Sequence, residues 1–414
     1  MRYLFLTTAG LSGGLQAPAH ELAETFRAHG REVELLHIGD SDVVPRLETV
    51  LLERRPDLVL SFGGFGHALM WSPPEGEAQN LWAYHRIPFF KLVFDMHAYM
   101  PTHHHVQGGF QALCYAFKDH AVLRAGHERP RPGEPGAMIA SLPPLLPVPP
   151  DRDPGKIDEK TLYFHKNGNS SAMLEQSWDG FPRPLRQALC EIGHALRDDI
   201  DNAFVLQIAA AAEAYIAAYE PDRHILLPFR DFILAQIDDY VRRLKGEMIV
   251  RQLKDLPVVV NGHGWGYLRD QLTPRRLRFI EAADHFDTSR RIKAALGTID
   301  IGPNVDLSIH ERSNRAIAFG HGLVEYRNTF AGDNGFPHTF RLTDGSLPDL
   351  VGRVLDDPAA IDEFRQFRTG FVSRYPIAAA LGYFEECAML LRFANSRDRN
   401  IPQYIWWPTP ERAG

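Results

Sequence analysis

Runs of apolar residues of strand length alternate with apolar positions at helical spacing along the first hundred residues. "RYLFLTT" is β-branched and aromatic, and "AGLSGG" after it is a turn. "APAHELAETFRAHG" repeats its apolar positions at helical spacing and stops on Gly30. "REVELLHIG", "PDLVLSFGGFG" and "IPFFKLVFDMHAY" follow as strands, with a helix at "VVPRLETVLLERR". Nearly continuous apolar strands separated by helices predict a parallel sheet covered on both faces.

Residues 127–156 are dense in proline and glycine, which predicts a linker. "KTLYFHKNGN" then opens a second unit with a strand and a loop, and 171–254 is helical in pattern. The alternation returns with "LPVVVNGHGWGYL", the helical "RRIKAALG", the strand "TIDIGPN", a helix near 311–319, and the strands "GLVEYRN" and "HTFRLTD". Helical patterns fill 347–395. The expected organisation is therefore two doubly wound, Rossmann-like α/β domains facing a cleft. They are 1–150 and 151–395, the second with a helical insertion at about 171–254, and a tail covers 396–414. In such sheets ligands bind outside the carboxyl ends of strands, at switch points.

Length and composition agree with this picture. The chain has 414 residues, 44% hydrophobic and 23% charged, enough for two substantial cores. A net charge of −7 argues against nucleic acid as the main partner. Cys114, Cys190 and Cys387 lie far apart and read as buried thiols of a reducing, cytoplasmic compartment. The amino-terminal apolar run is broken by Thr7, Thr8 and glycines, so it reads as a first strand rather than a signal peptide. No stretch has the uninterrupted apolar length of a membrane span.

Five places could carry chemistry. Gly13 and Gly14, in the turn after the first strand, either cradle an anion with backbone N–H groups or simply close the turn. His67, in "SFGGFGH", is a proton acceptor or a structural histidine. Asp95 and His97 close the fourth strand, where a general base would have to sit. The neighbouring His103, His104 and His105 cannot all face one metal, so no metal site is expected. Gly262, His263, Gly264 and Trp265 form a glycine-rich turn after "PVVV", suited either to a flat ring or to close packing. Finally Asn304, His310, Glu311, Arg312 and Arg315 crowd the start of one helix. Two guanidinium groups there oppose the helix dipole, so an incoming phosphate or carboxylate accounts for them better than helix stability does.

The order of "PVVVNGHGW", "IKAALGTIDIGPNVDLSIHERSNRAIAFGHGLVEYRNTF" and "TFRLTD" resembles the CgeB-like glycosyltransferases of the GT-B fold. The likeness covers roughly 255–345 well, and the amino-terminal half only in architecture. It implies a nucleotide-sugar donor site in the second domain around Gly262–Trp265 and Arg312, with Ala318 and Gly320 as small packing positions. The first domain would then hold the acceptor, with Asp95, His97 or His67 as base and no metal required. Arg315 stands where the family commonly has a glutamate. That departure points to a sugar acid delivered as a CMP derivative, or to a binding protein without turnover.

Overall fold

The computed structural model describes residues 1–8, 16–72, 76–106, 109–127, 138–147, 158–219, 223–273, 276–282, 284–396 and 404–405. Its strands are β1 (Arg2–Thr7), β2 (Glu32–His37), β3 (Leu58–Phe62), β4 (Met70–Trp71), β5 (Gln79–Asn80), β6 (Phe89–Val93), β7 (Gln111–Tyr115), β8 (Met138–Ser141), β9 (Asp158–His165), β10 (Val258–Asn261), β11 (Arg278–Ile280), β12 (Ala295–Asp300), β13 (Leu323–Tyr326), β14 (Thr339–Phe340) and β15 (Tyr404–Ile405). Two compact units result, one of residues 1–148 and 374–414, the other of 149–373.

The first unit is a parallel sheet in the order β15-β8-β7-β6-β3-β1-β2. Alternate strand residues face opposite ways, so each face has its own core. Tyr3, Phe5, Leu58, Leu60, Phe90 and Cys114 pack on helix Gln16–Ala28 and on the carboxy-terminal helix Ile377–Ser396. Leu4, Leu6, Leu36, Val59 and Phe89 pack on helix Val43–Glu53 and on Trp82. The expected boundary at 395 therefore moves. Residues 374–395 have the predicted helical pattern but cover the first unit's sheet. The expected linker also contains β8, a four-residue strand too short to stand out among prolines.

The second unit is a parallel sheet in the order β11-β10-β9-β12-β13-β14. Its helical insertion contains helices Ser171–Ser177, Arg183–Asp198, Val205–Ala218 and Arg230–Gln252. Cys114 and Cys387 are buried free thiols as expected, whereas Cys190 is only half-buried. Among the described residues no helix is long and apolar enough to cross a membrane.

Candidate functional site

In the second sheet the chain runs from β9 outward through β10 to β11, then returns to the other side of β9 as β12. The order therefore reverses between β9 and β12, and their carboxyl ends form the switch point where open α/β sheets bind ligands. The β9 end supplies His165 and Lys166. The β12 end supplies Asp300 and the loop that leads to helix Glu311–Phe319.

That helix starts on His310, whose Nδ1 accepts the Arg312 backbone N–H at 3.3 Å. Burial and the neighbouring Arg312 charge lower the His310 pKa to about 4, so it caps as a neutral ring. Arg312 donates through Nε to Asp300 Oδ1 at 2.9 Å. Asp300 is fully buried and Arg312 retains 19% exposure, so the carboxylate holds the guanidinium from behind. Ser313 Oγ lies 2.8 Å from Asp300 Oδ2 and 2.6 Å from Glu325 Oε2, bridging two carboxyls. Burial alone would raise both carboxyls, but Arg312 reverses this at Asp300 and holds it below the usual carboxylate range. Burial plus the Asp300 charge drives Glu325 well above that range. A serine hydroxyl has one proton to give. It goes to ionised Asp300, and protonated Glu325 donates to Ser313 Oγ in turn.

Lys166 is half-buried, and its ammonium is depressed to about 7 by burial, then by the Arg312 and Arg242 charges. Asp300 and Asp238 oppose that shift. His165 is buried, its Nδ1 3.0 Å from the Asn261 Nδ2 donor, so the ring's proton sits on Nε2. That Nε2 is enclosed without a hydrogen-bond partner among the described residues. Further along the same edge, a hollow of about 450 Å³ is lined by Asn202, Phe204, Gln207, Asp306, Thr329 and Arg341, among others.

Of the two readings of the glycine-rich turn, a seat for a flat ring or close packing, the structure shows close packing. A Cβ on Gly262 would lie 2.0 Å from the Lys166 carbonyl oxygen. One on Gly264, at φ +81°, would lie 1.8 Å from the Gly168 oxygen. The room these glycines leave is thus filled by the β9 loop. Gly168 N–H donates to His263 O at 2.7 Å, and Trp265 Nε1 donates to Lys166 O at 2.7 Å. Trp265 is 4% exposed, so it offers no open face to a ring. His263 is exposed and sits 2.9 Å from the exposed Glu281 carboxylate.

Asn304 and Arg315 are also taken up by the fold. Asn304, at φ 54°, donates to Asp238 Oδ1 at 2.9 Å and accepts from Val205 N–H at 2.7 Å, fastening the β12 loop to the insertion. Arg315 is 3% exposed, with Nη2 2.9 Å from the His285 ring nitrogens and 3.8 Å from Glu311 Oε1. The expected pair of arginine forks therefore reduces to Arg312. Arg315 is not placed to meet a substrate carboxylate.

In the first unit His67 Nδ1 lies 2.9 Å from Gly64 O, so it donates there and keeps a neutral ring, its pKa lowered by burial and by Lys91. Asp95 is exposed, whereas His97 is buried 6.3 Å from the His104 ring. Gly13 and Gly14 lie outside the described residues. No cluster of metal-ligating side chains occurs among the described residues. Lys166, His165, Asp300, Ser313 and Glu325 were not singled out by the sequence. The available signal was "HKNGN", a cation and glycine directly after a strand.

No protein-family model matches the chain, and no curated protein does. Solved structures similar to it include an alpha-glucosyltransferase in complex with UDP, at 11% identity, TM-score 0.46, over 90% of this chain and 95% of that one. The glycosyltransferase SnogD from Streptomyces nogalater is similar at 15% identity and TM-score 0.33, over 89% and 94% of the two chains. CalG4, the calicheamicin glycosyltransferase, is similar at 13% and 0.30, over 92% and 98%.

Proposed function

We propose that the chain is a glycosyltransferase that takes a nucleotide-sugar donor at the carboxyl edge of the second unit's sheet. The supporting observation is an oriented, still accessible guanidinium at the switch point, with Lys166 at the end of the adjoining strand. Arg312 is oriented by buried Asp300 with its outer side still accessible, and Lys166 is depressed in pKa by burial and then by that neighbour. An anion there relieves the repulsion between the two cations and gains charge-assisted hydrogen bonds. In a transfer reaction the same groups stabilise charge developing on the leaving phosphate without requiring a metal. The amide and hydroxyl groups of Asn202, Gln207 and Thr329 in the hollow suit a hydroxyl-rich ligand. The resemblance of residues 255–345 to CgeB-like glycosyltransferases agrees with this assignment.

In this reading the first unit takes the acceptor, and Asp95, His97 or His67 is its base. Arg315, replacing the family's glutamate, favours a second reading as a nucleotide-sugar binding protein without turnover.

Thermal-shift titration with UDP, GDP, TDP and CMP tests both readings. At least one nucleotide should stabilise the protein, and Arg312→Ala should weaken it about tenfold or more, as loss of one charge-assisted contact predicts. The matching nucleotide sugar should then hydrolyse slowly. Binding without hydrolysis or transfer supports the second reading, and no binding by any nucleotide rejects both.

A further inference from the structure

The amino-terminal ends of the first unit's strands surround a second, unrelated hollow. It measures about 660 Å³ and is lined by Arg55, Pro56, Asp57, Arg86, Phe110, Arg392 and Asn395. Arg55 precedes β3, Arg86 precedes β6, Phe110 precedes β7, and Arg392 comes from helix Ile377–Ser396. Because the strands are parallel, this rim lies at the far end from the sheet's own switch point, about 15 Å away along five-residue strands.

Three arginines face one carboxylate, so the lining carries a formal charge of +2 on a chain whose net charge is −7. Two of them are tethered. Arg55 Nη2 donates to the His85 carbonyl, and Arg392 Nη2 donates to the Asp57 carbonyl at 2.5 Å. Asp57 accepts the Arg2 backbone N–H through Oδ2 at 2.9 Å, and its Oδ1 stands 3.9 Å from Arg392. Asn395 is held by Gly109 and Leu391 carbonyls.

Arg86 is different. Its side chain has no hydrogen-bond or ion-pair partner among the described residues, and its backbone adopts φ 49°. It follows the short helix Leu81–Tyr84, where its N–H donates to Ala83 O at 3.0 Å and the Ile87 N–H to Trp82 O at 2.9 Å. Glycine or asparagine is the ordinary residue at this left-handed helix stop. Arg86 is exposed, so water satisfies its guanidinium, and what sets it apart is a left-handed backbone that an arginine adopts less readily than glycine.

We propose that this hollow is a binding site for a small phosphate ester. Arg86 and Arg392 would take the phosphate oxygens, for which planar guanidinium forks are suited. Half-buried Phe110 offers an apolar wall to the organic part. A bare phosphate would leave most of 660 Å³ empty, whereas this volume is ordinary for an organic ligand. The inference is independent of the donor site, which lies in the other unit.

Isothermal titration of the full chain with AMP and with inorganic pyrophosphate tests it. AMP is expected to bind more tightly than pyrophosphate. Arg86→Gly, which removes the guanidinium and fits the left-handed backbone, should weaken AMP by about tenfold or more. It should leave the melting temperature equal or higher. Arg312→Gln, in the other unit, should leave this AMP site unchanged, which separates its failure from failure of the donor-site reading. The proposal is overturned if AMP does not bind at millimolar concentration, if pyrophosphate binds as tightly as AMP, or if Arg86→Gly changes AMP affinity by less than about twofold.

Discussion

Asp300 and Glu325 sit on neighbouring strands, joined through one serine hydroxyl, yet take opposite protonation states. Arg312 decides which carboxyl is ionised, because it bonds to Asp300 directly. Removing that charge with Asp300→Asn leaves a largely enclosed guanidinium without its anion and should destabilise by about 3 kcal/mol. Glu325→Gln should behave otherwise. The Glu325 pKa is raised in the folded state, so the native protein holds a proton that the unfolded chain releases above its ordinary carboxyl pKa. Stability from this group is full in acid and falls as pH rises above about 4.5 toward the folded value. Glutamine keeps a donor toward Ser313 without that dependence. Urea midpoints at pH 5.5 and pH 9 should therefore diverge in favour of the variant at the higher pH. Equal pH profiles for the two proteins would show that Glu325 is ionised in the native state.

The loops after β9 and β10 act as one element. Main-chain bonds from Lys166 N–H to Asn261 O and from Gly168 N–H to His263 O join them, and Trp265 closes over both. Gly264→Ala combines a left-handed backbone with a Cβ driven into Gly168 O, and should lower stability by about 3 kcal/mol. Gly335 has a similar φ of +69° with open space around it, so Gly335→Ala should cost only about 1 kcal/mol. Comparing the two by thermal melts isolates the close approach from the backbone conformation. If both variants melt alike, the loops part easily and Lys166 is not fixed by them. This loop pair also shows what the sequence could reveal. Alternating glycines in "NGHGWG" mark a close approach, but composition does not say whether a ligand or another part of the chain arrives. The crowded start at His310–Arg315 was likewise visible as too polar for a plain cap. Its partners were not, because Asp300, Glu325 and His285 come from other elements and pair only after the sheet and helices assemble. The alternating strands and helices were legible because burial on both faces leaves uninterrupted apolar runs.

At the scale of the whole molecule, the chain returns at its end to the unit in which it began. Leu381, Phe384, Cys387, Ala388 and Leu391 of the last long helix are each at most 1% exposed and pack with Phe26, Phe90 and Cys114. Helical periodicity announces such an apolar stripe but does not name the sheet it covers, which is why 374–395 reads from sequence as part of the second domain. Burying large apolar side chains contributes roughly 1.5–3 kcal/mol each. Removing this helix therefore takes away an amount comparable to the whole stability of a typical domain, about 5–15 kcal/mol. It also removes Glu385, which accepts from Tyr3 Oη and Arg31 Nε, both at 3.0 Å. A chain ending at Ser373 should accordingly lose amide-exchange protection in β1, β3, β6 and β7. Strands β9, β10, β12 and β13, whose core lies wholly within 149–373, should keep theirs. Protection retained in the first unit after truncation would show that helix Gln16–Ala28 alone suffices for that face, and loss in both units would show that their stabilities are coupled.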